Sequence, residues 1–134
     1  MYNELRGVVN MSDKTTTISE LKEHVKRFVN DRDWTKYHTA KNLSMSIAIE
    51  AAELMELYQW VSEEEASTAT TDVEKLERLK EELADILIYC LSLANTVNID
   101  VTEAVAQKII KNETKYPVEQ VKGKYKTLLK CKYM

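Results

Sequence analysis

Residues 74–97 read EKLERLKEELADILIYCLSLANTV, a run without glycine or proline. Leu76, Leu79, Leu83, Ile86, Cys90 and Leu93 recur in it at helical spacing. From Leu83 to Val97 the only charged residue is Asp85. A helix that is apolar nearly all round must be enclosed on several sides, so this segment is the central helix or an oligomer contact. The remainder of the 134-residue chain points the same way, with only two glycines (Gly7, Gly123) and one proline (Pro117). Sheets and hairpins need far more turn residues than that. Neither glycine lies in a phosphate-cradling motif, which excludes Rossmann and P-loop nucleotide sites. The expectation is a single all-α domain.

Upstream, the segment from Ala40 to Val61 carries the stripe Leu43, Ile47, Glu50, Leu54, Leu57, Val61, with Glu50 as the one acid in an otherwise apolar row. Before it, Thr17 with Glu20 forms a capping box that opens a helix running to about Asp33, with Leu21, Val25 and Phe28 on one face. Downstream, Asp100 with Glu103 opens a fourth helix to about Tyr116, stopped by Pro117. Residues 62–73 form a polar connection. The chain thus divides into a polar N-terminal segment (1–16) expected to be loosely ordered, a helical domain (17–117), and a basic tail (118–134) readable as short helix or extended chain. Four helices with short links predict a four-helix bundle.

Charge is unevenly spread although the net value is only −3. Glu50 to Asp85 holds twelve acids against three bases, and Lys108 to Met134 holds eight lysines against two glutamates. Such a balance gives no overall polyanion-binding character. Lys122, Lys124, Lys126, Lys130 and Lys132 in the tail lack the aromatic ladder of a nucleic-acid binder, and are read as pairing with acidic faces across an oligomer. Cys90 and Cys131 make no disulfide framework. No segment resembles a leader or a membrane span, so a reduced, soluble, cytoplasmic protein is expected.

Glu50 and Glu53 are three apart on one predicted helix, and Glu82 and Asp85 are three apart on the next long one. Each pair therefore projects to one flank, and packing of the two helices can bring the flanks together. Converging carboxylates raise one another's pKa, a conflict that a hard divalent cation resolves, Mg²⁺ first and Mn²⁺ as substitute. Acidic pairs at this spacing also arise on solvated faces, as Glu74/Glu77 and Glu53/Glu56 illustrate. What distinguishes Glu50 and Asp85 is their apolar context. A di-iron bundle would need Glu-x-x-His pairs, but Leu21 precedes His24 by three and Thr35 precedes His38 by three.

At these residues the sequence resembles the all-α, MazG-like nucleotide pyrophosphohydrolases, and within them the dCTP pyrophosphatase branch. The pattern E-x-x-E, gap, E-x-x-D reads here as Glu50-Ala-Ala-Glu53, 28 intervening residues, and Glu82-Leu-Ala-Asp85. Arg32-Asp33-Trp34 with His38, Gln59-Trp60, Tyr89, and Lys108 through Asn112 to Lys115-Tyr116-Pro117 extend the likeness over about residues 18–125. The resemblance implies Mg²⁺ held by Glu50, Glu53, Glu82 and Asp85, and hydrolysis of a (deoxy)nucleoside triphosphate, dCTP or a related dNTP, to monophosphate and pyrophosphate. It implies Glu53 as the candidate base, Trp34, His38, Trp60 and Tyr89 as candidates for the base pocket, and Lys108, Asn112 and Lys115 for phosphate or sugar. It also implies a homo-oligomer, dimer or tetramer, with the site completed between subunits. The competing readings are a non-catalytic helical interaction module and a pyrophosphohydrolase for modified or signalling nucleotides.

Overall fold

The computed structural model describes residues 11–67 and 72–124. The expectations for residues 1–10, for 68–71 of the polar connection, and for 125–134 of the basic tail, with Lys126, Lys130, Lys132 and Cys131, lie outside the described residues. Every regular element among the described residues is helical. They divide into two compact units, the first ending at Ile99 and the second beginning at Asp100.

The first unit contains α1 (Ile18–Asn30), a 3-10 turn (Thr35–Tyr37), α2 (Ala40–Glu56), α3 (Glu63–Ser67) and α4 (Val73–Thr96). As the sequence predicts, Thr17 and Glu20 form a reciprocal capping box: Thr17 Oγ1 accepts the Glu20 N–H at 3.2 Å and Glu20 Oε2 accepts the Thr17 N–H at 2.7 Å. Ser12 to Thr16 form a hydrogen-bonded turn ahead of α1. The helix α2 is capped by Thr39, and α4 by Asp72, whose Oδ1 accepts the N–H groups of Glu74 and Lys75. With so few glycines, the chain uses Asp33 (φ 53°) and Asn98 (φ 54°) as left-handed residues after α1 and α4. In each case the next N–H reaches back five residues, Trp34 to Val29 and Ile99 to Ala94. Asn and Asp tolerate this conformation better than other non-glycine residues do.

Helix α4 packs against both α1 and α2. Val29, Leu43, Leu91 and Ala94 are its buried apolar core among the described residues. Lys22 adds a tie from α1 to the end of α4: its Nζ donates to the Ile99 carbonyl at 2.7 Å, and Asn95 Nδ2 donates to the Lys22 carbonyl at 2.9 Å. The α2 stripe holds as expected, with Leu43 buried and Ile47, Glu50, Leu54, Leu57 and Val61 half-buried. On α1, Val29 rather than Phe28 faces inward; Phe28 is exposed and meets Trp34 edge-to-face at 5.9 Å. On α4, Leu83, Leu87 and Ile88 remain open to solvent within the first unit, so its apolar run is only partly enclosed there.

Helix α2 ends at Glu56, five residues short of Val61. The cause is a competing start. Ser62 and Glu65 form another capping box, with Ser62 Oγ accepting the Glu65 N–H and Glu65 Oε2 accepting the Ser62 N–H. Helix α3 therefore begins inside the stretch expected to be a loop. The second unit holds α5 (Val101–Lys115) and α6 (Val118–Val121). Asp100 caps α5 by accepting the Glu103 N–H, but the Glu103 carboxylate accepts from Gln107 Nε2 at 2.9 Å, so only half of the expected box forms. No single helix among the described residues is long and apolar enough to cross a membrane.

Candidate metal centre

Glu50 and Glu53 lie one helical turn apart on α2, and Glu82 lies on α4, the helix against which α2 packs. Three residues advance ~300° and ~4.5 Å along a helix, which leaves Glu50 and Glu53 side by side on one flank. Packing supplies the third group. Carboxylate oxygens of Glu50, Glu53 and Glu82 all lie within 4.8 Å of one another. Glu50 and Glu82 are half-buried, whereas Glu53 is exposed. Asp85, one turn after Glu82, is exposed and lies outside this close trio, but its charge still reaches Glu50.

Glu50 is held above the usual carboxylate range, first by burial and then by the charges of Glu53, Asp85 and Glu82. No basic side chain among the described residues pairs with it: the ion pairs there join Lys36 to Asp33, Lys75 to Asp72 and Lys80 to Glu77, all exposed and all elsewhere. An oxygen-only donor set of ionisable carboxylates, packed closely enough to perturb one another, fits a hard divalent cation of the Mg²⁺ or Mn²⁺ kind and no soft metal.

The remaining expected site residues fall into three places. His38 is half-buried against the C-terminal half of α4, where Thr96 Oγ1 donates to its carbonyl at 3.1 Å. Trp34 is exposed and flanked by Phe28 and by the Arg32 guanidinium, which sits 3.7 Å over the Phe28 ring. Trp60, expected at the end of the helix bearing the acids, lies in the turn beyond α2 and is 89% exposed. Tyr89 is half-buried on α4, one turn past Asp85. Lys108, Asn112 and Lys115 share one face of α5 in the second unit, with Lys115 Nζ 5.2 Å over the Tyr116 ring.

Sequence reasoning missed the polar residues around His38. Ser92 is buried in the apolar half of α4, seven residues after Asp85, and lines a small cavity with His38.

Residues 45–128 match the MazG-like family. Over 96% of its length the chain is 33% identical to dCTP pyrophosphatase 1 of Mus musculus, of which it covers 78%. It is 34% identical to dCTP pyrophosphatase 1 of Bos taurus, covering 66% of that protein. A pyrophosphatase of Archaeoglobus fulgidus, solved by crystallography, superposes with a TM-score of 0.67 at 42% identity, over 81% of this chain and 99% of the archaeal one.

Proposed function

The chain belongs to the MazG-like family, and from that premise we infer that it is a nucleotide pyrophosphohydrolase whose substrate is dCTP or a closely related deoxynucleoside triphosphate. The observation that carries this reading is the meeting of Glu50, Glu53 and Glu82 on two packed helices, without a basic partner, at the spacing by which the sequence resembles the family. The dCTP assignment is supported by the relatives of that name.

Glu50, Glu53, Glu82 and the neighbouring Asp85 would hold Mg²⁺, with Mn²⁺ as substitute. When bound there, such an ion would supply the positive charge that lets a triphosphate approach an acidic face and that would draw electron density from the phosphorus under attack. Glu53 is the most exposed of the trio and is the carboxylate best placed to accept the proton of the attacking water. Water oxygen then bonds to phosphorus as the phosphoanhydride bond breaks, releasing monophosphate and pyrophosphate. Trp34, Trp60 and Tyr89 offer aromatic faces, and His38 a polar edge, for the base. Stacking of this kind contributes about 1–3 kcal/mol per base. For Lys108, Asn112 and Lys115 in the second unit, the family resemblance alone supports a role as donors to phosphate or sugar.

A second copy of the chain completes the assembly in this reading. Met45 and Ile49 on α2 and Leu83, Leu87 and Ile88 on α4 are all at least 41% exposed, a concentration of large apolar side chains on two adjoining helices that a partner of the same kind would cover.

Pyrophosphate release from all common dNTPs and NTPs, with Mg²⁺ and with EDTA, tests the proposal. Turnover should be greatest with dCTP or a close relative and should stop in EDTA. Absence of pyrophosphate release from every triphosphate refutes it.

A further inference from the structure

Two aromatic rings and a guanidinium gather where the chain leaves α1. Phe28 is 48% exposed and Trp34 is 44% exposed, and their rings meet edge-to-face, with centroids 5.9 Å apart and planes at 73°. The Arg32 guanidinium sits 3.7 Å over the Phe28 ring and 5.9 Å from the centroid of the Trp34 ring. Phe28 and the guanidinium are thus equally far from the indole, which places Trp34 beyond the rim of Phe28 rather than above or below it. Phe28 turns its edge to the indole, and Arg32 closes the corner between the two rings.

The main chain restrains the same ring. Asp33 takes a left-handed conformation that is costly for a residue other than glycine, and so returns the Trp34 N–H to the Val29 carbonyl at 3.1 Å. On either side of Trp34, Lys36 Nζ meets Asp33 Oδ2 at 2.9 Å and Thr35 Oγ1 donates to Asn30 Oδ1 at 2.9 Å. Arg32 is itself fixed, since its Nη1 donates to the Phe28 carbonyl at 3.0 Å. Exposed cation–π contacts contribute little to stability, so the fold alone does not call for this much restraint on a half-open indole. A stacking surface does gain from it, because a ring already set in place loses no freedom when a ligand lies on it.

The same geometry gives Arg32 a second, purely structural part. Its charge lies just past the C-terminal end of α1, where a cation is favoured, and its bond to the Phe28 carbonyl caps the last turn. Capping needs only a charge and a donor, which lysine also has. The stack needs a planar group at contact distance from Phe28 that fills the corner beside Trp34, which an ammonium does not supply. Substitution by lysine therefore separates the two parts.

We propose that Arg32, seated on Phe28, is a positioning residue that holds the Trp34 indole ready to stack on a nucleobase. This rests on the reading of Trp34 as part of the base site, but binding tests it apart from turnover. The probes, both with Mg²⁺, are α,β-imido dCTP, whose nitrogen bridge resists cleavage, and inorganic tripolyphosphate, which has no base. Each is titrated calorimetrically into the full chain. Arg32→Ala and Arg32→Lys should both weaken α,β-imido dCTP about 2–5-fold and leave tripolyphosphate unchanged. In Trp34→Ala, which has no ring to hold, adding Arg32→Lys should change the affinity no further. Arg32→Lys should keep the wild-type melting temperature, because the cap survives, and it decides the matter if Arg32→Ala fails to fold. With Trp60→Phe leaving Trp34 as the sole tryptophan, Arg32→Lys should lower the fluorescence anisotropy of the free protein as the indole gains local motion.

Unchanged anisotropy, or wild-type affinity of Arg32→Lys for α,β-imido dCTP, overturns the proposal. So does an equal loss for tripolyphosphate, which makes Arg32 a phosphate ligand, and so does a loss that persists without Trp34. If no triphosphate is hydrolysed but α,β-imido dCTP still binds in a manner that depends on Arg32 through Trp34, the positioning role stands and the catalytic reading falls. If triphosphates are hydrolysed while nucleotide affinity is indifferent to Arg32, only the positioning role falls.

Discussion

Glu50→Gln should make the metal-free protein more stable and the metal-loaded protein less so. The carboxylate oxygens of Glu50, Glu53 and Glu82 lie within 4.8 Å of one another. At that separation two unit charges repel by about 0.9 kcal/mol in bulk water and by about 3.5 kcal/mol at an effective dielectric constant of 20. Glu53 is exposed, so the watery limit describes its share, whereas the half-buried pair of Glu50 and Glu82 lies between the two limits. Removing the Glu50 charge should then stabilise the metal-free fold by about 1–2 kcal/mol. For a chain of this length that corresponds to a rise of roughly 4–8 °C in Tm. The glutamine is nearly isosteric, so little packing is lost.

The assay is thermal unfolding in EDTA and in Mg²⁺, repeated across pH. Because Glu50 is raised above its ordinary value of 4.5, the folded state holds its proton more tightly than the unfolded state does. Wild-type stability in EDTA should therefore fall as pH climbs from 4.5 through the folded pKa, and this slope should be absent from Glu50→Gln. Mg²⁺ should raise the wild-type Tm strongly and the variant's weakly, reversing their order. If Glu50→Gln melts below wild type in EDTA, or if Mg²⁺ stabilises both equally, the three carboxylates are not a strained cation site.

Glu53→Gln should lower kcat by about 10² or more while nucleotide affinity is retained, measured by pyrophosphate release and calorimetry; unchanged turnover removes Glu53 from the role of base. Thr17→Ala removes the cap of α1 and should cost about 1 kcal/mol, read as a lower urea midpoint at neutral pH. The N–H of Thr17, and after it the hydroxyl, hold Glu20 below its ordinary 4.5; the variant keeps the N–H, so only the hydroxyl's share of the wild-type advantage should be present above that pH and vanish as pH falls through the lowered folded value. Equal midpoints at neutral pH refute the cap's contribution. Leu87→Glu alters a residue 52% exposed in the single chain and should leave protomer folding nearly untouched, yet reduce the assembled mass in light scattering. An unchanged mass places the subunit contact elsewhere.

The acids were legible because two independent local signals coincided: i,i+3 spacing, and a charge set within an apolar stripe or run. Glu50 showed both. Helix starts at Thr17 and Asp100 were legible for a similar reason, since a cap and its partner lie within one turn. The end of α2 was not, because its stripe continues through Leu57 and Val61 as though the helix did. What stops the helix is the rival start at Ser62 and Glu65, a local contest that periodicity alone does not register. Choosing Val29 over Phe28 as the inward residue of α1 depends on α4, which the α1 sequence does not contain. The place of His38 beside α4 was harder still, since the Thr96 hydroxyl that holds its carbonyl there lies 58 residues away in sequence.

These features explain why an acid can occupy the α2 stripe at all. Ile47 and Leu54 flank Glu50 at one turn on either side and are half-buried with it, so apolar packing fixes the backbone at the point where the carboxylate opposes burial. Hydrophobic contact above and below holds Glu50 opposite Glu82 whether or not positive charge is present. A cation entering there would meet oxygens already gathered, and the organisation needed for binding would have been paid for in folding. The same packing leaves Leu83, Leu87 and Ile88 uncovered on α4. In this arrangement, stability withheld from the protomer by its acids and its open apolar face is returned on binding, by the cation in one place and by a second copy in the other.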